Sequence, residues 1–492
     1  MRKYGILFTI SIIVVIFIAG CSEQGGSWTQ DIEQFRELVL ETHPKFSDEN
    51  LAILEPNVKA RATFESVVDE LLLNISDLED SEIIVELQRA AATLADNHFS
   101  ILLAELETQA TVEVYPLAFR FLADGFYLLT TEAGFEDALN KRLLAINGRE
   151  IDDIFAEFST LWSVENIYNA RSSFAILLNN SHILSALDLL ENGDVTFTFE
   201  NSIEITLGIE DMVLADTKSA LFFPAFSLSN REPGNLPFFM DIRGRDLNGY
   251  NWFYFMEAYS ILYIRLELYF QNTDDAGIFA PFASEVKAAF EIHAPQAVIV
   301  DARHNPGGDN AYLMELFEFL AEHTNDDMLF HFVDEGSMSA SMLGAAHLKS
   351  LGAVLIGQPL GQNTDFFGFH TTSGFADGLY FGDLEWLDGL DLDEYVEIGT
   401  NTDVYPYFEV FTFTVREILE MAEASENVSA PITWGQPNLY VNIPNMSLSA
   451  SQLFGIDLEF YTLRPHVLIE YTIQDWISNH DPLLAYVITR LG

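Results

Sequence analysis

Residues 297–310 read AVIVDARHNPGGDN, and residues 328–359 read MLFHFVDEGSMSASMLGAAHLKSLGAVLIGQP. Three apolar runs in these stretches predict buried strands, because strands of a parallel sheet are apolar on both faces. The runs are 297–300, 328–333 and 353–356. The first run ends at a glycine turn and the second at a serine turn, and a helix-period stretch follows each turn. This order predicts a parallel βαβαβ unit with both turns at the carboxyl ends of strands, where open α/β sheets carry their chemistry.

The residue types in the two turns favour acyl transfer. The second turn holds the alternating serines Ser337, Ser339 and Ser341. A serine on a strand-to-helix turn has an exposed hydroxyl beside amides that favour negative charge. Gly307 and Gly308 have no Cβ, so a second backbone N–H can come close and complete a hole for an oxyanion. A structural interpretation fits the same residues, with glycines that tighten a βα turn and serines that cap a helix.

The segment resembles the catalytic core of the C-terminal-processing (tail-specific) serine protease family, and more closely its tricorn-core-like branch. The family's Asp-x-Arg-x-Asn-x-Gly-Gly turn is matched by Asp301, Arg303, Asn305, Gly307 and Gly308. The family's serine motif falls on residues 337–343, SMSASML, and its Ile-Gly-Glu-Pro strand end falls on residues 356–359. The resemblance implies a nucleophile, two oxyanion-hole amides and three supporting residues. The nucleophile is Ser339, and the oxyanion-hole amides are the N–H of Ala340 and that of Gly307 or Gly308. The supporting residues are Asp301, Arg303 and Asn305.

Weaker matches in the same order extend the resemblance over most of the chain. Residues 94–100, LADNHFS, resemble the segment whose histidine is the general base in tricorn-like members, which implies His98 as the base. Asp96 is a candidate to orient the imidazole, and a turn-capping role fits it equally well. Residues 143–151 resemble the end of a PDZ-like module, IPN at 443–445 resembles a family strand, and residues 465–491 resemble the terminal pattern.

Departures from the family's pattern leave a second interpretation open. The processing proteases use a lysine base in a Gly-Lys turn, whereas residues 360–364 read LGQNT, and the first Lys or Arg after Lys349 is Arg416. Met342 and Gln358 stand where the family often has glutamate. The resemblance therefore implies a serine-type peptidase that uses a histidine base on protein or peptide substrates. The alternative is an inactive homologue that binds peptides or envelope proteins.

The N-terminus predicts a bacterial lipoprotein signal with a lipobox over residues 1–21. Two basic residues precede an apolar run from Gly5 to Ile18, and the sequence IAGC ends at Cys21. Cys21 is the single cysteine of the chain, so no intrachain disulfide can form. We expect a lipid on Cys21 to anchor the protein at the extracytoplasmic face of the cell membrane. An uncleaved transmembrane anchor is the alternative, which the shortness of the apolar run disfavours.

The composition excludes several classes of function. The chain has 75 acidic and 23 basic residues and a formal net charge of −52, which argues against binding to nucleic acid or to an anionic membrane surface. Neither a His-x-x-x-His or Cys-x-x-Cys pair nor a nucleotide-binding glycine motif occurs, so we predict no metal and no cofactor. With 49% hydrophobic residues and 40 phenylalanines, the chain can build large cores.

The periodicity and the resemblance together predict an α+β multidomain fold. Residues 22–108 predict an N-terminal helical domain, and residues 109–220 predict a β-rich, PDZ-like module. Residues 221–492 predict an α/β domain, which the resemblance implies to be crotonase-like (ββα) and catalytic. Residues 366–430 are acidic and aromatic-rich and form a predicted insertion, either a substrate-contacting lid or a packed surface elaboration. The sequence makes no prediction of the oligomeric state.

Individual elements are predicted within these regions. Helix-period stretches are predicted at 64–73, 83–94, 158–190, 277–293 and 415–424. Further strands are predicted at 112–115, 119–121, 126–130, 194–200 and 261–265.

Overall fold

The computed structural model describes a large part of the chain in separate ranges. They are 28–47, 55–99, 101, 111–191, 193–216, 251–269, 276–308, 311–325, 327–368, 395–398, 411–414, 446–450, 454 and 462–492. Cys21, the predicted helix at 415–424, the segment 443–445 and the three predicted domain boundaries lie outside the described residues. In the described ranges, no helix is long and apolar enough to cross a membrane.

The N-terminal unit is built from helices around its own apolar core. The helices are α1 (Trp28–Thr42), α2 (Glu55–Asn74) and α3 (Asp80–Ala92). A reciprocal capping box between Glu79 and Glu82 begins α3. Each helix turns an apolar stripe inward, and the rings of Phe35 and Phe64 pack with centroids 5.8 Å apart. The loop after α3 carries His98.

A β-rich unit with a second core follows in the chain. Its elements are β1 (Thr111–Val114), β2 (Leu117–Leu122), β3 (Gly125–Thr131), β4 (Leu143–Ile146), β5 (Arg149–Glu150), α4 (Ile151–Leu161), α5 (Ile167–Leu177), α6 (Ser181–Ala186), β6 (Val195–Phe199), β7 (Ile203–Leu207) and β8 (Val213–Asp216). Strands β5, β4, β6 and β7 form an antiparallel sheet, β2 pairs with β3, and β1 pairs with β8. Asn147 and Gly148 join β4 to β5 at φ 46° and 74°, the two positive φ values of a type I′ turn.

The predicted strands of this unit are confirmed, and the region 158–190, which is predicted to be helical, is divided among three helices. Separate helices α4, α5 and α6 occupy that region. The side chains of Asn166 and Asn180 accept backbone N–H groups at the starts of α5 and α6. Asparagine caps begin new helices in this way, so the apolar period is interrupted although its spacing continues.

The C-terminal unit contains the predicted βαβαβ pattern. Its elements are β9 (Trp252–Met256), β10 (Ile261–Arg265), α7 (Ala276–His293), β11 (Ala297–Asp301), α8 (Ala311–His323), β12 (Leu329–Val333), α9 (Ala340–Ser350), β13 (Val354–Gly357), β14 (Asp365–Gly368), β15 (Tyr395–Ile398), β16 (Phe411–Thr414), β17 (Met446–Ser449), β18 (Val467–Leu468), α10 (Ile473–Ile477) and α11 (Pro482–Leu491). In the described part of the chain, one sheet has the order β18-β13-β12-β11-β10-β9. Strand β9 runs antiparallel to β10, and the other neighbours are parallel.

Both faces of this sheet are covered, which explains why its strands are apolar throughout. On one face, helices α7 and α8 pack against residues such as Leu262 and Val298. On the other face, the β2–β3 hairpin and helices α10 and α11 pack against Tyr263 and Ile299. Strands β14 and β17 pair with each other, and so do β15 and β16 within the predicted insertion. The β-rich unit therefore lies directly against the sheet whose strand ends carry the glycine and serine turns.

Candidate active site

The serine turn joins β12 to α9 and places its three serines in different surroundings. Ser337 is buried, and its Oγ donates to the carbonyl oxygen of Ala302 at 2.9 Å and accepts the N–H of Asp334 at 3.2 Å. Ser341 is fully buried in α9. Ser339 is partly exposed and precedes α9 with φ 53° and ψ −124°, a positive φ that few residues other than glycine adopt. Ser339 is thus the serine whose hydroxyl faces out of a sharp strand-to-helix turn.

His98 reaches this turn from the N-terminal unit. Its Nε2 lies 3.2 Å from Ser339 Oγ across a sequence separation of 241 positions. Burial lowers the pKa of His98 below its ordinary value, and the nearby Asp96 carboxylate opposes this shift only in part. The imidazole is therefore uncharged at neutral pH. This distance and charge state suit a general base beside a nucleophile.

Two asparagines fasten the His98 loop to the serine turn. Asn97 Nδ2 lies 3.2 Å from Met338 Sδ, and Asn169 Nδ2 lies 3.1 Å from the same sulfur. Asn169 Nδ2 also donates to Asn97 Oδ1 at 3.2 Å. The helical unit, the β-rich unit and the α/β sheet therefore meet one residue away from Ser339.

Asp96 is fully buried, and its carboxylate already has other partners. Its Oδ2 lies 2.9 Å from His43 Nε2, and its Oδ1 accepts the backbone N–H of His98 at 3.0 Å. The distance from Oδ1 to His98 Nδ1 is 3.8 Å, which is too long for a hydrogen bond. Of the two roles predicted for Asp96, its geometry matches turn capping.

The glycine turn packs against the serine turn from β11. Gly307 has φ 110°, and a Cβ built on it would lie 2.5 Å from Ser339 Cβ and 3.0 Å from the nitrogen of Ala340. The N–H of Gly307 donates to Asn305 Oδ1 at 2.9 Å, while Asn305 also accepts the N–H of Met338 at 3.0 Å. Since the Gly307 amide is engaged, the amides of Ala340 and Gly308 are the better pair for an oxyanion hole.

Asp301 and Arg303 serve a buried ion network behind the turns. The guanidinium of Arg303 contacts Asp301 and binds Asp481 at 3.2 and 2.8 Å, and the Tyr263 hydroxyl donates to Asp301. Burial alone would raise the pKa of Asp301, but Arg303 and Arg265 outweigh it and hold that pKa well below its usual range. The contacts tie β11 to the start of α11, so the support that these residues give the site is structural.

Sequence reasoning missed Gln362, which contacts Ser339 and His98, and Glu165, which contacts Gln362. Gln362 is fully buried; its Oε1 accepts the N–H of Ser339, and its Nε2 lies 2.8 Å from Glu165 Oε1 and 3.3 Å from His98 Nδ1. Glu165 Oε2 accepts the N–H of Asn363 at 2.9 Å. Burial and the Asp96 carboxylate raise the pKa of Glu165 to about 8, against hydrogen bonds that lower it. The only sequence signal at Gln362 is the absence of the family's lysine from its turn, and Glu165 belongs to no motif.

Asp96, His98 and Glu165 also form a mixed carboxylate and imidazole cluster. One ligand atom from each lies within 4.8 Å of the others, and donors of these kinds are found around divalent ions. The Gln362 amide, however, lies within hydrogen-bond distance of both Glu165 and His98. The hydrogen bonds of Gln362 thus connect these side chains to the serine turn.

The fold and the site geometry together define a class: an α/β protein in which a strand-end serine faces a histidine. No family model and no curated protein matches the sequence. Among solved structures, the chain is similar to mature CPAF complexed with lactacystin, with 12% identity, 94% of this chain and 97% of that chain covered, and a TM-score of 0.51.

A structure of mature CPAF gives 12% identity, coverage of 94% and 96%, and a TM-score of 0.50. The photosystem II D1 C-terminal processing protease also matches, with 12% identity, coverage of 90% and 93%, and a TM-score of 0.32. At these identities the likeness to CPAF shows a shared fold over almost the whole chain. The shared fold agrees with the multidomain architecture of helices and sheets expected from the sequence, while the protease family, the tricorn-like branch and the lipid anchor stay predictions.

Proposed function

We propose that the chain is a membrane-anchored, extracytoplasmic serine endopeptidase of the C-terminal-processing type, with Ser339 as nucleophile and His98 as base. The observation that carries the proposal is the 3.2 Å distance between His98 Nε2 and Ser339 Oγ. These atoms come from separately cored units of the chain, so their meeting is not a by-product of local sequence. The shared fold with CPAF supports the proposal at the level of architecture.

The reaction follows from the placement of these groups. With Nε2 unprotonated, His98 takes the Ser339 proton as Oγ attacks the carbonyl carbon of the scissile peptide bond. The N–H groups of Ala340 and Gly308 stabilise the negative charge on the carbonyl oxygen. His98 then gives the proton to the leaving amine, which leaves an acyl ester on Ser339. A water molecule, deprotonated by His98 in the same way, releases the carboxylic acid product.

The location and the substrate class rest on the sequence. The lipobox and Cys21 support a lipid anchor that holds the enzyme on the extracytoplasmic face of the membrane. The net charge of −52 supports a soluble, acidic body beyond the anchor. So acidic a body would repel nucleic acid rather than bind it. Protein or peptide chains are the substrates that the acyl-transfer chemistry and the shared fold support.

A peptide-binding protein without activity is the second candidate, and one observation favours it. The distance from His98 Nδ1 to Asp96 Oδ1 is 3.8 Å, so the Asp96 carboxylate is not hydrogen-bonded to that nitrogen. A histidine base normally has such a partner to hold its tautomer. Covalent labelling separates the two candidates.

The deciding experiment is reaction of the purified protein with a fluorophosphonate probe. We expect labelling of the wild type, and a loss of nearly all labelling in both Ser339→Ala and His98→Ala. Peptidase activity of the double mutant should be hardly lower than that of either single mutant, because the two side chains act as a unit. Ser341→Ala is the matched control, since that serine is two positions away and fully buried. If the folded wild type does not label at any pH from 6 to 10, the peptidase is refuted and the inactive peptide-binding protein is supported.

A further inference from the structure

His98 Nδ1, the ring nitrogen on the far side from Ser339, has an unusual neighbour for a catalytic base. Gln362 Nε2 lies 3.3 Å from this nitrogen, and Asp96 Oδ1 lies 3.8 Å away. A base that accepts a proton on Nε2 must carry its own proton on Nδ1, and this proton needs an acceptor. An amide NH2 group can only donate. The identity of the group facing Nδ1 therefore decides the tautomer.

Two contacts fix which end of the Gln362 amide faces His98. The backbone N–H of Ser339 can only donate, so the amide end that it meets must be the oxygen. The other amide end lies 2.8 Å from Glu165 Oε1, a position that suits a donating NH2 group. With the amide in the opposite orientation, its NH2 group would face the backbone N–H of Ser339, and its oxygen would face the carboxyl oxygen of Glu165. The network therefore assigns the NH2 group to the side of His98 and Glu165.

This assignment determines the tautomer of His98 in the described arrangement. Nδ1 receives a hydrogen bond from Gln362, so the single ring proton is on Nε2, and Nε2–H donates to Ser339 Oγ. A nitrogen that already carries a proton cannot take one from the serine. The arrangement is a resting state, and a working state needs Nδ1–H with an acceptor beside it.

We propose, on the basis of the proposed function, that Glu165 is the positioning residue that accepts Nδ1–H from His98 in the working state, while the Gln362 amide takes that place in the resting state. Glu165 qualifies because it is adjacent and its carboxyl is held from the other side by the N–H of Asn363. Asp96 is held in place by His43 and by the backbone N–H of His98, and its Oδ1 stays 3.8 Å from Nδ1.

The two states differ in the number of bound protons, so pH determines which of them is favoured. In the resting state Glu165 is neutral, because burial and Asp96 raise its pKa to about 8, and His98 carries its proton on Nε2. Glu165 gives its proton to Nδ1, and the Nε2 proton passes to solvent. The working pair, Glu165 carboxylate and Nδ1–H imidazole, thus holds one proton fewer and is favoured as pH rises.

Other charged groups near Glu165 shift this balance in opposite senses. Asp96 disfavours the Glu165 carboxylate, whereas Lys45 lies close enough to favour it. The amide of Gln362 and the N–H groups of Asn363 and Asn97 stabilise the carboxylate by hydrogen bonds. His43 shares a hydrogen bond with Asp96.

The test combines two substitutions with two readouts. Glu165→Gln should lower the fluorophosphonate labelling rate by about 10²–10⁴-fold, the scale of losing the carboxylate that orients a catalytic histidine, and should abolish the rise of the rate between pH 7 and 9. Gln362→Glu supplies a second carboxylate oxygen toward Nδ1 and keeps an acceptor for Ser339 N–H, so labelling at pH 7 should be at least equal to the wild type. Glu157→Gln, a partly exposed acid on α4, is the matched charge control.

The second readout does not depend on activity. Nitrogen-15 NMR of labelled histidine, assigned with His98→Ala, should show the Nε2–H tautomer in the wild type at pH 6.5 and Nδ1–H above pH 8.5. The change should be missing in Glu165→Gln. An Nδ1–H tautomer at both pH values, or a Glu165→Gln rate within threefold of the wild type with an unchanged pH profile, would overturn the proposal. Wild type that fails to label but shows the tautomer change would refute the peptidase and leave the Glu165 switch intact.

Discussion

Replacing Gly307 by alanine would probe how tightly the glycine turn is fitted to the serine turn. The new Cβ would lie 2.5 Å from Ser339 Cβ, 2.9 Å from the carbonyl oxygen of Met338 and 3.0 Å from the nitrogen of Ala340. Ordinary contact begins at 3.4 Å, so the two turns must separate by about 0.9 Å. None of the three neighbours is the free end of a flexible side chain. Either Ser339 or the backbone around Met338 and Ala340 has to move.

The expected effect has two parts that can be measured separately. A displacement of about 1 Å at a reacting group costs roughly 10²-fold in rate, so the fluorophosphonate labelling rate should fall by about that factor. The backbone at φ 110° adds a cost of about 1–3 kcal/mol for any residue with a Cβ, which should lower the free energy of unfolding in urea.

Gly352→Ala is the matched control, since Gly352 has φ 94° and no atom within 4 Å of the added Cβ. It should lose a similar free energy of unfolding, about 1–3 kcal/mol, and label at the wild-type rate. A Gly307→Ala protein that labels as fast as Gly352→Ala would refute the packing argument. Equal loss of labelling in both variants would show that the effect is one of stability.

Three further outcomes are expected. Arg303→Met should lower the free energy of unfolding by about 3–5 kcal/mol in urea, because it leaves the carboxylates of Asp301 and Asp481 buried without their shared cation; a loss below 1 kcal/mol would contradict the network. Burial would raise the pKa of Asp334, but His304 and Arg120 lower it to about 2, so its contribution to stability is complete above about pH 4 and is lost as pH falls toward 2. Asp334→Asn should flatten that part of the stability profile, and an unchanged profile would exclude Asp334 as its source. Cys21→Ala should abolish incorporation of labelled fatty acid and partitioning into detergent, whereas equal labelling of mutant and wild type would refute the lipobox.

The sheet of the C-terminal unit was predictable because its strands carry their own signal. Apolar runs such as 297–300 and 353–356 are too uniform for an exposed element, and the glycine and serine turns mark where they end. The meeting of His98 with Ser339 came from a motif and its order along the chain, since periodicity contains nothing about contacts 241 positions apart. Local spacing could establish the elements but not the docking of one unit on another.

Glu165 and Gln362 show why the rest of the site could not be predicted from the sequence. Each is a polar residue in a loop, where hydrogen-bonding side chains are common and mean little alone. Their roles arise only when the β-rich unit lies against the sheet and brings a carboxyl to within 2.8 Å of an amide 197 positions later. The breaks between the helices within 158–190 were not predictable for a related reason, because Asn166 and Asn180 are recognised as helix caps only when their hydrogen bonds are seen.

Under the proposed function, the division of His98 and Ser339 between two units makes activity appear only late in biosynthesis. The ribosome makes His98 first, and the N-terminal helices can assemble their core before the serine turn exists. A chain stopped before Ser339, or one cleaved from its first hundred residues, holds a base without a nucleophile or a nucleophile without a base. The proposed protease could not digest the compartment in which it is made until it is complete and its units are docked. Disrupting the contacts between the unit of His98 and the unit of Ser339 would abolish this activity without any inhibitor.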